Sequence, residues 1–179
     1  MAIIVEVNNM WTGGARVIIV DADGGGAELD GLAGGGTVAD GSEREPRILL
    51  VRQRHEGRDI WMPPGGAVEP DENSRDAAAR EVLEETGLAV KIGHLLWHVE
   101  EVSEKRGQRF VNFFLGTITG GCAKLGTDPE LGDNQVLADL KFFSKKEITE
   151  IEHVYPDFLR NEIWGELTAK ATKDPYRIR

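Results

Sequence analysis

Gly66-Ala67-Val68-Glu69-Pro70-Asp71-Glu72-Asn73-Ser74-Arg75-Asp76-Ala77-Ala78-Ala79-Arg80-Glu81-Val82-Leu83-Glu84-Glu85-Thr86-Gly87-Leu88 reads as a glycine-rich turn followed by a short acidic helix. A helix advances about 100° per residue, so Glu81, Glu84, Glu85 and Leu88 share a face, with Ala77 one turn earlier. Ala78, Ala79, Val82 and Leu83 fall opposite and form an apolar stripe suited to packing on a sheet. Asn73 or Ser74 can cap the start, Asp76 favours the first turn, and Gly87 suits the left-handed position past the end. Glu81 and Glu85 are like charges one turn apart, which destabilises a bare helix by a few tenths of a kcal/mol. Three carboxylates on one helix face behind a glycine turn are an arrangement that holds hard divalent cations against a phosphate. A solvated acidic face would explain the charge run but not Gly66, Glu72 or Arg80.

Those residues resemble the signature of the Nudix hydrolases at every constrained position. Upstream, Trp61-Met62-Pro63-Pro64-Gly65-Gly66-Ala67-Val68-Glu69 is similar to the lead-in to that box. Ile48-Leu49-Leu50-Val51-Arg52-Gln53 resembles the family's central strand, which often ends in a basic residue near the phosphates. Downstream, Leu140 to Ile148 resembles a late strand leading into a helix, with Phe142 where many members have tryptophan. The resemblance covers residues 15 to 155 and implies an α/β/α sandwich with a mixed β-sheet.

Composition is that of one soluble globular domain over residues 1–179, with 40% hydrophobic and 29% charged residues. No stretch approaches the length of a membrane helix, and Met1-Ala2-Ile3-Ile4-Val5-Glu6 lacks the basic start of a signal peptide. The one cysteine, Cys122, cannot form an internal disulfide, so a cytoplasmic setting is expected. A net charge of −10 argues against nucleic acid and anionic membranes as partners. It does not argue against a small phosphorylated substrate, because metal ions invert the potential around carboxylates.

Ala2 to Val7 and Ala15 to Asp21 are β-rich, with Trp11-Thr12-Gly13-Gly14 expected to turn between them. Residues 23 to 47 hold eight glycines and read as a flexible surface insertion. Its triplets Gly24-Gly25-Gly26 and Gly34-Gly35-Gly36 are not followed by the Gly-Lys-Ser/Thr of a phosphate loop. Ala89 to Val102 and Arg109 to Ile118 read as strands around a turn at Lys105-Arg106-Gly107, and Gly120-Gly121 is expected to break the second. Residues 144 to 151 and a C-terminal segment at 157 to 170 read as helices, with Asp174-Pro175 ending the ordered chain. Strands alternating with helices favour an α/β sandwich of two or three layers.

Glu81, Glu84 and Glu85 are assigned to a metal cluster, for Mg2+ with Mn2+ as the alternative ion. The resemblance implies a further oxygen from the Gly65 or Gly66 carbonyl, and glycine there admits close approach of backbone to ligand. Arg80, grouped with the catalytic residues, is expected to orient a neighbouring glutamate rather than touch substrate. Glu72 is expected to support the preceding loop and to pair with Arg80. The general base is Glu81, Glu84 or a carboxylate from a later loop. Glu130 is the first choice among the loop residues, ahead of Asp133, Asp139, Glu100 and Glu101. Arg52 ends an apolar strand within reach of a phosphate, and Arg54 joins it as a substrate contact, with solvated surface as its plain alternative. Trp61 and Phe110 can stack on a base or belong to the core.

Three functions fit these residues. The first is a metal-dependent pyrophosphohydrolase acting on a nucleoside diphosphate linked to another moiety: an NTP, a nucleotide sugar, ADP-ribose or similar. The second is a catalytically weak ligand-binding or regulatory module, which has little need for all three glutamates. The third is action on the 5′ end of RNA, against which the acidic balance counts. Ser103 stands where one subfamily has a proline, and no tyrosine is near it; these absences weaken ADP-ribose and dinucleoside polyphosphates respectively as substrates. The resemblance also implies a homodimer.

Overall fold

The computed structural model describes residues 11–21, 45–55, 57–103, 107–126, 136–168 and 176–178. The β-rich segment Ala2 to Val7, nearly all of the glycine-rich insertion and the expected loop residues Glu130 and Asp133 lie outside them.

Strand β1 (Trp11–Asp21) is the hub. It pairs antiparallel with β4 (Gly65–Ala67) over Gly14 to Arg16, and parallel with β6 (Gly107–Gly121) from Trp11 to Ile19. Only its last two residues reach β2 (Arg47–His55), at Val20↔Ile48 and Asp21↔Arg47. β2 in turn lies between β3 (Arg58–Met62) and β7 (Leu137–Ser144). On the far side of β6 follow β5 (Leu88–Ser103) and then β8 (Tyr176–Ile178), the latter parallel to β5. The sheet is therefore mixed, and it splays on either side of β1.

Both faces are covered. Val17, Ile19, Leu49 and Val51 point one way and pack with Ala77, Ala78 and Val82 of helix α1 (Ser74–Thr86). Ile18, Ile48 and Leu50 point the other way, against Ile148 of α2 (Lys145–Glu150), Leu159 of a 3-10 turn (Asp157–Arg160) and Ile163 of α3 (Glu162–Thr168). Strands buried on both faces read as continuous apolar runs, which is why Ile48 to Val51 carries no alternation. The expected α/β/α sandwich with a mixed sheet is the fold found.

Several local expectations are corrected. Trp11 to Gly14 is strand, because β4 and β6 supply ladder partners on both sides of Gly13-Gly14. Gly120 and Gly121 lie inside β6, held by pairing with Ala89 and Leu88. The C-terminal helix breaks at Asn161 into a 3-10 turn and α3, and beyond Asp174-Pro175 the chain adds β8. Leu83 is 54% exposed instead of packed on the sheet, whereas Glu81 and Glu85 are buried. The buried residues of α1 centre on Glu85, and Leu83 points about 160° away from it. Among the described residues no helix is long and apolar enough to cross a membrane.

Candidate active site

Helix α1 is set at both ends as its sequence directs. The Asn73 side chain accepts from the Arg75 and Asp76 amides, and Gly87 closes the helix in the left-handed region at φ 68°. The Gly65–Ala67 backbone lies beside it, tied to β1. Gly65 has φ 141°, and a side chain there would meet the Ala15 carbonyl. A side chain on Gly66 would run into the Glu81 carboxylate. Glycine at these two positions is what lets the acidic helix, the turn and β1 close on one another.

Glu85 is 3% exposed and is held by two neutral donors. The Gly65 amide donates to its Oε2 at 2.9 Å, and Gln53 Nε2 to its Oε1 at 2.9 Å. Burial pushes its carboxyl up to about 7, against the opposing pull of Arg16 and the Gly65 amide. Glu81 and Glu84 turn instead to one cation. Arg80 Nη1 donates to Glu81 Oε1 at 3.0 Å and to Glu84 Oε2 at 3.2 Å, while Nη2 donates to Glu72 Oε1 at 2.7 Å. The hydrogen bond to Glu72, more than any other contact, holds the Arg80 guanidinium protonated well beyond its usual range. Glu72 also accepts from the Glu69 amide at 2.9 Å, so it ties the loop to Arg80, the arrangement expected of both residues.

Among the described residues no three His, Cys, Asp or Glu side chains converge closely enough to hold a metal ion. The donor set nevertheless suits a hard cation. It offers three carboxylates within five residues, one of them buried among neutral partners, against a glycine backbone that leaves no side chain in the way. A divalent cation beside Glu85 would hold that carboxylate ionised.

The other expected site residues lie elsewhere. Arg52 alternates with Gln53 on β2 and so faces away from Glu85. Its Nη1 donates to Asp59 at 3.0 Å, its guanidinium lies 5.7 Å from the centre of the Trp61 ring, and its buried Nε has no hydrogen-bond partner. Arg54 is 62% exposed and pairs with Asp59 at 2.9 Å. Both line an open cleft of about 720 Å³ with Arg58, Asp59, Trp61 and His153. Trp61 packs edge-on against Phe143 at 4.6 Å, and Phe110 stacks on His98 at 5.6 Å. Of the later carboxylates, Asp139 is half exposed near Arg52, Glu100 accepts from Gln108, and Glu101 accepts from the Tyr155 hydroxyl.

Arg16 escaped sequence reasoning. It is 6% exposed, donates from Nη1 to the Pro63 carbonyl at 2.7 Å, and lies 5.8 Å from the centre of the Tyr155 ring. Burial lowers its pKa, and the fields of Glu85 and Tyr155 oppose that shift. Burial and the bond to Glu101 raise Tyr155. The only signal available was a charged residue inside the apolar run Ala15 to Val20.

The family model for the NUDIX domain matches residues 34–161. Among curated proteins, the diphosphoinositol polyphosphate phosphohydrolase 3-beta of Bos taurus is 41% identical over 70 residues, which are 39% of this chain and 42% of that one. The chain spans less than half the length of such curated relatives. Among solved structures, a NUDIX hydrolase from Nitrosomonas europaea superposes with a TM-score of 0.61 at 18% identity, covering 87% of this chain and 88% of that one. An ADP-ribose pyrophosphatase from Streptococcus suis gives 0.57 at 18% identity, covering 94% and 98%. At these identities the superpositions speak for the fold.

Proposed function

Because the chain belongs to the NUDIX family, we propose that it is a metal-dependent pyrophosphohydrolase, using Mg2+ or Mn2+ to cleave a phosphoanhydride bond in a small phosphorylated substrate. The observation that carries this reading is the buried Glu85 on Gly65 and Gln53, next to Glu81 and Glu84, which are gathered by Arg80. A binding module has little need for Glu81, Glu84 and Glu85 together.

Glu81, Glu84 and Glu85 would hold the metal, with the Gly66 backbone beside them. The bound ion would neutralise the diphosphate and acidify a water. Glu85 keeps its orientation through the Gly65 amide and Gln53. Arg80 positions Glu81 and Glu84 and is itself fixed by Glu72. Glu81 or Glu84 accepts the proton of the attacking water on a carboxylate oxygen as the P–O bond forms and the bridging P–O bond breaks. Arg52 and Arg54 look into the cleft beside Trp61, away from Glu85, and are held there by Asp59. The similarity to a diphosphoinositol polyphosphate phosphohydrolase adds polyphosphorylated small molecules to nucleoside diphosphate derivatives as substrate classes.

The test is product analysis on a panel of nucleoside triphosphates, nucleotide sugars, ADP-ribose, dinucleoside polyphosphates and diphosphoinositol polyphosphates, with Mg2+ and then Mn2+. Metal-dependent cleavage that is lost in Glu85→Gln supports the proposal and names the substrate class. A folded protein that cleaves none of them shifts the reading to the ligand-binding module.

A further inference from the structure

Two of the three carboxylates of the acidic face, Glu84 and Glu85, lie in the last turn of α1, where a helix has orphan carbonyls and frays. Both also stand at the negative end of the helix dipole, and no basic residue in that turn offsets them. The turn is held from outside. After β6 the chain folds back over the helix end: the Lys124 amide donates to the Thr86 carbonyl at 2.9 Å, and the Gly126 amide to the Glu85 carbonyl at 2.8 Å. Three glycines let the two backbones meet. A Cβ on Gly121 would stand 2.3 Å from the Gly87 carbonyl oxygen, one on Gly87 2.8 Å from the Cys122 carbonyl oxygen, and one on Gly126 1.6 Å from the Glu84 carbonyl oxygen. Real Cβ atoms essentially never come within 3.0 Å of such a neighbour, so the contact at Gly126 leaves no room for a side chain.

Glu85 is therefore gripped twice. The Gly65 amide and Gln53 hold its carboxylate, and Gly126 holds its carbonyl. Amides bonded to the terminal carbonyls fix the backbone of the turn, and the direction of its side chains follows from that backbone. The affinity of a carboxylate site for a hard cation depends on how rigidly its ligands are held. We propose that Gly126 is a positioning residue for the metal-binding face. Residues 121–126 form a strap whose closure on the last turn of α1 sets Glu84 and Glu85 against Glu81, and with them the affinity for a divalent cation. This rests on the pyrophosphohydrolase reading and extends it from the side chains that hold the ion to the backbone that holds those side chains.

Mn2+ titration of the full chain and of Gly126→Ala, followed by electron paramagnetic resonance, tests this. Ile163→Ala is the control: it shortens a fully buried side chain on the opposite face of the sheet and costs stability without touching α1. Wild type should bind Mn2+, Gly126→Ala at least fivefold more weakly, and Ile163→Ala within twofold of wild type although it melts lower. Binding by Gly126→Ala within twofold of wild type, or an equal loss of affinity in Ile163→Ala, overturns the proposal. In metal-free protein the side-chain amide resonances of Gln53 should shift in Gly126→Ala and stay in place in Ile163→Ala, because the Glu85 carboxylate they bond moves with the turn. Unmoved resonances in Gly126→Ala overturn the proposal equally. Should Gly126→Ala not fold, amide hydrogen exchange in wild type decides. Mg2+ should slow exchange at Gly126 and Lys124 at least fivefold, and by more than at Leu159 in the 3-10 turn; exchange at Gly126 that ignores Mg2+ overturns the proposal. A wild type that binds neither ion ends the hydrolase reading and this proposal together, whereas a wild type matched by Gly126→Ala ends the proposal alone.

Discussion

The arginines at the end of β2 and the one inside β1 make opposite use of the same side chain. Arg52 and Arg54 share Asp59, with Asp139 near Arg52, and look into an open cleft. Exposed pairs of the first kind contribute little to stability and are screened by salt. Arg16 is instead buried, bonded to the Pro63 carbonyl and in the field of Glu85. The difference teaches that burial, more than the number of nearby cations, sets what an arginine does in this fold.

Predictions follow that ordering of effects. Glu85→Gln should lower kcat by roughly 10³-fold, the scale on which a lost electrostatic contact acts in a water-poor site. Its melting temperature should stay near that of wild type, and steady-state assay beside thermal melting separates the two. Arg54→Ala should change KM less than about twofold, since Asp59 already neutralises the arginine. A tenfold rise would make the open cleft an equal partner and dissolve the contrast.

The smallest effect concerns acid stability. The Ser144 amide, with help from Lys141 and against partial burial, holds Glu147 down to about 2 from an ordinary 4.5. A carboxylate depressed on folding stabilises above its unfolded value, so this contribution is complete above pH 4.5 and fades as pH falls toward 2. Glu147→Gln should therefore melt lower than wild type at pH 7, and the gap should narrow steadily from pH 4.5 to pH 2.5. A gap constant across that range would mean the charge does not contribute.

What the sequence revealed was local. Asn73 and Gly87 act through neighbours a few residues away, and the unbroken apolar run Ile48 to Val51 itself signals burial on both faces, so the box helix, its caps and the central strand were legible. Helical spacing sets Leu83 in an apolar stripe opposite the carboxylates. The helix instead buries Glu81 and Glu85, and Leu83 follows to the outside. Gly13-Gly14 and Gly120-Gly121 carry turn signals that the ladder overrides, since each finds strand partners far away in sequence. Arg16 was invisible for the same reason: Pro63 and Tyr155, which define its surroundings, reach it only through the folded sheet.

The central claim, that the acidic face of α1 holds a divalent cation, is tested most directly by titrating Mn2+ into the full chain and following bound ion by electron paramagnetic resonance. Wild type should bind, and Glu85→Gln should bind at least tenfold more weakly with its fold intact. Equal affinity in the two proteins would contradict the assignment of Glu85 to the metal.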